Sequence, residues 1–158
     1  MRWKPVLAAA GAALLVALLG SAATEIGPWY ESLSKPAWQP PDWLFAPVWT
    51  AIYAATATAA VLAWQRTARG APRQRLLLLF ALNALLNVLW SVLFFTLHRP
   101  DWALVEVVFF WLSIAALVAV VWPVSRVAAA LLLPYLAWVA FAAWLNLTIV
   151  HLNGPFGA

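Results

Sequence analysis

The 158-residue chain has no cysteine, so disulfides and thiolate metal sites are excluded, although this says nothing about compartment. Charge is scarce as well, at 9% of residues. Water-soluble domains carry about 25%, which leaves a membrane protein as the consistent class, and the mean hydropathy of +0.91 agrees. No Gly-rich phosphate loop, metal-ligand cluster or nucleophile–base pair occurs, so the usual enzyme signatures are missing. No internal repeat is evident, and an odd number of long apolar runs is not the symmetry of an inverted-repeat transporter.

What is present is apolar length. Five runs approach or exceed the roughly 20 residues needed to cross the hydrocarbon core: Pro5–Ala23, Leu44–Trp64, Leu76–Leu97, Trp102–Trp122 and Val127–Val150. None contains Lys or Arg, and Glu106 is the one acidic residue inside a run. The runs do not alternate, which argues against a β-barrel. The expectation is an all-α integral membrane protein, a single domain over 1–158 built as a five-transmembrane-helix bundle, with residues 24–43 as a structured Trp/Pro-rich first loop. The first run also resembles a signal peptide, with Arg2 and Lys4 before it and Gly20-Ser21-Ala22-Ala23 at its end. Its apolar stretch exceeds the roughly 7–15 residues of an ordinary h-region, so a retained helix is expected.

The formal charge of +4 does not point to nucleic acid. On a five-helix path Arg2, Lys4, Arg66, Arg69, Arg73, Arg75 and Arg126 fall on one side, and only Lys35 and Arg99 on the other. The positive-inside rule then places the N-terminus in the cytoplasm and the C-terminus across the bilayer.

The segment Trp29–Trp49, WYESLSKPAWQPPDWLFAPVW, stands apart from an ordinary connector. Proline fixes φ and removes donors, while indole supplies a stiff apolar face with one polar handle. A rigid aromatic lid is expected. In the third run Asn83, Asn87, Trp90 and Phe94 share a stripe. Amides at that depth are costly against lipid and should face the bundle interior. In the last run, after Pro134, Trp138, Ala142, Leu145, Asn146 and Ile149 form a second stripe, with Ala142 leaving a gap. Trp49, Tyr53 and Thr56 share a face of the second run. At about 1.5 Å per residue these positions gather in the lid-side half of the bilayer. The reading is one aromatic cavity roofed by the loop and floored by amides, suited to a flat apolar ligand with polar edges. A tetrapyrrole and a sterol both meet that description. His98 and His151 end two runs on the lid side, where histidines are ordinarily interfacial, and no metal site is assigned. Glu106 is expected to snorkel or to pair with Arg99, and Asp42 to cap the second helix.

The loop WYESLSKPAWQPPDW with Trp49, then Asn83, Asn87 and Trp90-Ser91, then Pro134-Tyr135-Leu136-Ala137-Trp138 with Ala142, Leu145 and Asn146, resemble in order the TspO/MBR family of tryptophan-rich sensory and translocator proteins, the peripheral-type benzodiazepine receptors. The resemblance covers nearly the whole chain. It implies a homodimeric five-helix bundle in the lipid bilayer that binds protoporphyrin IX, haem-like tetrapyrroles, isoquinoline carboxamides and, in mitochondria, cholesterol. No cofactor is implied; porphyrin or haem is the ligand. The matching pocket positions are Tyr30, Trp38, Pro40, Trp49, Tyr53, Asn83, Asn87, Trp90, Trp138, Ala142, Leu145 and Asn146. The resemblance further implies that Trp49 and Trp138 would be the catalytic residues if light- and oxygen-dependent porphyrin breakdown occurs. One departure stands out: Tyr135 has no basic residue after it, as the proposed sterol pattern requires. A bacterial-type tetrapyrrole role in transport, sequestration or signalling is therefore expected ahead of sterol binding or a purely regulatory role.

Overall fold

The computed structural model describes residues 3–157; Arg2, counted above among the basic residues, lies outside the described residues. Helices α1 (Trp3–Ala23), α3 (Phe45–Arg66), α4 (Ala71–Ser91), α5 (Pro100–Val121) and α6 (Arg126–Asn153) are the long apolar elements, and α2 (Pro28–Ser32) is a single turn within the first loop. Five helices are long and apolar enough to span a membrane, and no strand occurs among the described residues. α4 begins at Ala71, ahead of the apolar run that opens at Leu76, and the other long helices lie over the remaining four runs.

Local chemistry explains where the helices begin and end. Pro28, Pro72 and Pro100 sit in the first turns of α2, α4 and α5, where a missing N–H costs nothing because that donor has no partner within the helix. Gly70 turns the chain into α4 at φ +89°, a conformation that a β-carbon disfavours. Ser125 caps α6, accepting from Ala128 N–H at 3.2 Å, and the same hydroxyl accepts from Arg66 Nη1 at 2.6 Å, tying the end of α3 to the start of α6. Beyond Ser91 the α4 rod continues for one π-helical turn, Val92–Thr96. α6 runs unbroken through Pro134.

Within lipid, helices associate through close packing rather than water exclusion, so small residues collect at their contacts. The core follows that rule. Ala59, Ala63, Ala128 and Ala129 are fully buried with Leu117, Val121 and Leu132 at the Arg-rich end. Val107, Phe110, Ile114, Tyr135 and Val139 fill the middle. Tyr30, Leu33, Phe94, Ala103 and Ile149 close the lid end. α5 is the most buried span and α1 the least, although α1 packs against α3 and α4.

Two expectations are corrected here. Asp42 does not cap the following helix; it opens a short 3-10 turn and takes the Tyr30 hydroxyl instead. Arg99 pairs with its near neighbour Asp101 rather than with Glu106, whose two carboxyl oxygens are buried with no partner among the described residues. Arg99 and Asp101 are two residues apart at the head of α5, so this pairing needs no reach into the bundle.

Candidate functional site

The lid is held by polar bonds to its own backbone and to the end of α6. The Ser34 N–H donates to Asn153 Oδ1 at 2.8 Å, and Asn153 Nδ2 donates back to the Ser34 carbonyl at 2.8 Å. Lys35 folds inward, donating Nζ to the Tyr30 carbonyl at 2.6 Å while lying 4.3 Å from the centre of the Tyr30 ring. The Tyr30 hydroxyl donates to Asp42 Oδ1 at 3.1 Å and accepts from Gln39 Nε2 at 3.1 Å. Burial of the phenol, reinforced by the Asp42 charge, pushes the Tyr30 pKa up to about 12. Trp29 stacks on His98 with ring centres 4.1 Å apart, so this histidine is engaged by an indole face.

Below the lid is a cavity of about 500 Å³, within the range of small-molecule sites. Of the twelve pocket positions named from sequence, Tyr30, Trp49, Tyr53, Asn87, Trp90, Trp138, Ala142, Leu145 and Asn146 line it, and three do not. Trp38 is 43% exposed and packs outward against Phe141 and Trp144. Pro40 stays in the lid without reaching the wall. Asn83 lies one helical turn deeper than Asn87 and faces a second cavity.

The wall is aromatic on three sides. Trp49 stacks with Tyr53 at 5.5 Å, Trp90 with Phe94 at 5.2 Å, and Trp138 sits between Phe45 and Phe141 at 5.7 and 5.4 Å. The fourth side was not assigned from sequence. Ala17, Gly20 and Ser21 of α1, with Thr24 just past its end, complete it, and the Gly20 α-carbon comes close enough that an added β-carbon would lie 3.6 Å from the Tyr53 hydroxyl. The signal was present as the small-residue row Ala9, Ala13, Ala17 and Gly20, which reads equally well as a helix-packing face.

The amides are spent on the protein itself. Asn87 Oδ1 accepts from the Tyr53 hydroxyl at 3.0 Å, and its Nδ2 donates to the Tyr135 hydroxyl at 3.1 Å. Tyr135 in turn donates to Asn83 Oδ1 at 3.0 Å, and Asn83 Nδ2 donates to Ser113 Oγ at 2.9 Å. Asn146, with its amide turned so that both ends are satisfied, donates to the Pro100 carbonyl at 3.0 Å and accepts from Leu104 N–H at 3.1 Å. By contrast the Trp138 Nε1 is buried with no partner among the described residues. A buried orphan donor is costly, and this N–H is closed off from the cavity as well as from water, so only a turn of the Trp138 ring brings it to an acceptor there. No cluster of three metal-ligating side chains occurs among the described residues.

The sequence model of the TspO/MBR family matches residues 6–152. A tryptophan-rich protein TspO of Chlorobaculum tepidum is 41% identical over 149 residues, 90% of this chain and 92% of that one. The translocator protein of Sus scrofa is 42% identical over 120 residues, 75% of this chain and 70% of its own length. Protein CrtK of Rhodobacter capsulatus is 34% identical over 131 residues, covering 80% and 79%. The matched stretch takes in nearly the whole of the five spans and the aromatic chamber under the lid, and the chain belongs to the TspO/MBR family.

Proposed function

We propose that this multi-pass membrane protein binds a tetrapyrrole, with protoporphyrin IX as the test ligand, in the chamber beneath the lid, for transport, sequestration or signalling. The carrying observation is that one cavity beneath the lid gathers Trp49, Trp90 and Trp138 in its wall. A flat conjugated ring gains about 0.5–1.5 kcal/mol for each aromatic pair beyond burial. The remaining amides brace the floor and select for shape rather than hydrogen bonding. The N-terminus faces the cytoplasm in this reading, and the lid the opposite compartment.

A second reading rests on Trp49 and Trp138 lining the same space. An indole next to a photo-excited porphyrin can give it an electron, and dioxygen then serves as terminal oxidant for ring opening. One experiment addresses both readings. Titrating protoporphyrin IX into the purified protein should quench tryptophan emission saturably, and Trp138→Phe should weaken the affinity several-fold. Non-saturable quenching would overturn binding. If the saturated complex keeps its porphyrin spectrum under illumination in air, only the degradative reading falls.

A further inference from the structure

A second cavity of about 460 Å³ lies on the other side of the Tyr53–Asn87–Tyr135–Asn83 hydrogen-bonded plate, between α1, α3 and α4. Its α1 wall is smooth, made of Ala8, Ala9, Ala12 and Ala13. At its deep end Tyr53, Asn83 and Tyr135 are present, but their polar groups are bonded to one another, to Asn87 and to Ser113. A guest's deep portion therefore meets no free donor beyond the Thr56 hydroxyl and must be apolar.

The mouth has the opposite character. Lys4 lines it, and Trp64, also in the lining, carries the Arg73 guanidinium 4.9 Å from its ring centre. Arg73 spends Nε on the Thr67 carbonyl at 3.1 Å, and neither Nη group has an acceptor among the described residues. Arg66, Arg69, Arg75 and Arg126 stand at the same end of the bundle. All five acidic residues of the chain lie at or toward the lid end: Glu25, Glu31 and Asp42 around the first loop, Asp101 and Glu106 in the opening turns of α5. No carboxylate competes for these cations.

We propose that this inner cavity binds one acyl chain of an anionic phospholipid, with the lipid phosphate between Lys4 and Arg73. The apolar depth and cationic mouth fix the orientation of the guest. An amphiphile with an anionic head satisfies both ends, whereas a neutral sterol leaves the cations without an acceptor. Tyr53 lines both cavities, so the lipid site and the lid-side chamber share one wall while taking different ligands.

Native mass spectrometry of the purified chain, offered phosphatidylglycerol and phosphatidylcholine of identical acyl composition, tests this. The wild type should retain phosphatidylglycerol selectively. Lys4→Gln and Arg73→Gln should each reduce that preference about fivefold, the effect of the roughly 1 kcal/mol one basic group contributes beside an anionic lipid surface. Ala60→Leu, which fills the cavity from α3, should lose retention of both lipids. Ala9→Leu, from the less buried α1 wall, repeats the test should the α3 variant misfold. Equal retention of the two lipids by the wild type overturns the proposal. So does undiminished retention by a folded cavity-filling variant, or a sterol displacing phosphatidylglycerol.

Discussion

The polar side chains around the lid-side chamber and the cavity beyond it divide into those hydrogen-bonded within the protein and those without a partner among the described residues. Asn83, Asn87 and Asn146 belong to the first group. They were legible as inward-facing from their stripes, since an amide facing hydrocarbon is costly. That they bond to tyrosines, a serine and the opening turn of α5 was not legible, because no spacing rule links residues on different helices. Tyr30 has a more direct consequence at this scale. Its folded-state pKa of about 12 lies above the ordinary tyrosine value of about 10, so above that value the unfolded chain loses this proton first. The stability held by the neutral phenol is intact below about pH 10 and is lost as pH rises through about 12. Ultraviolet difference titration of the wild type against Tyr30→Phe should therefore show a phenol still protonated near pH 11, a point at which a free tyrosine is largely ionised. A phenol titrating at about 10 would mean that the lid does not exclude water from Tyr30.

Among elements, the lid is the one whose position depends on few contacts. The paired Ser34–Asn153 bonds join it to the last turn of α6, and Asn153 Nδ2 also donates to the Ile149 carbonyl at 2.9 Å. Each such bond is worth about 0.5–1.5 kcal/mol net. Asn153→Ala should thus raise the lid's opening population on the order of fivefold or more, read as faster hydrogen exchange at 33–35 while the amides of α5 keep their protection. Unchanged exchange at the lid would show that its aromatic packing suffices without α6. The proline and tryptophan content of the loop made it legible as more than a plain connector. It did not reveal that Trp38 points away, because alternation within an irregular loop carries no period from which a facing can be taken. The α1 row of alanines and Gly20 was equally ambiguous: small residues suit both close packing and a cavity wall, and here they line two cavities. The five spans themselves were plain, since length and apolarity are local properties of the chain.

For the molecule as a whole, the division of charge sets the two faces apart. Lys4, Arg66, Arg69, Arg73, Arg75 and Arg126 gather at one end of the bundle, and the lid, with Glu25, Glu31 and Asp42, is at the other. Cytoplasmic loops carry the excess of Lys and Arg in multi-pass proteins, so the proposed orientation follows from a sum over the whole bundle rather than from any one loop. On that orientation the proposed phospholipid site would lie in the inner leaflet and the proposed tetrapyrrole chamber in the outer half, which makes orientation a shared premise of both proposals. A chain without native cysteine is suited to testing it, because a single introduced thiol is the only one available to react. Ser32 on the lid and Gln74 at the start of α4 are both exposed and lie at opposite ends. In membrane vesicles of known sidedness, an impermeant maleimide should label Ser32→Cys only from the non-cytoplasmic face and Gln74→Cys only from the cytoplasmic face. The reversed pattern would turn the bundle over, so that the lid chamber opened to the cytoplasm and the cationic cavity mouth met the opposite leaflet. Labelling of each variant from both faces would instead require two opposed populations, and the charge asymmetry would then be too weak to orient this protein.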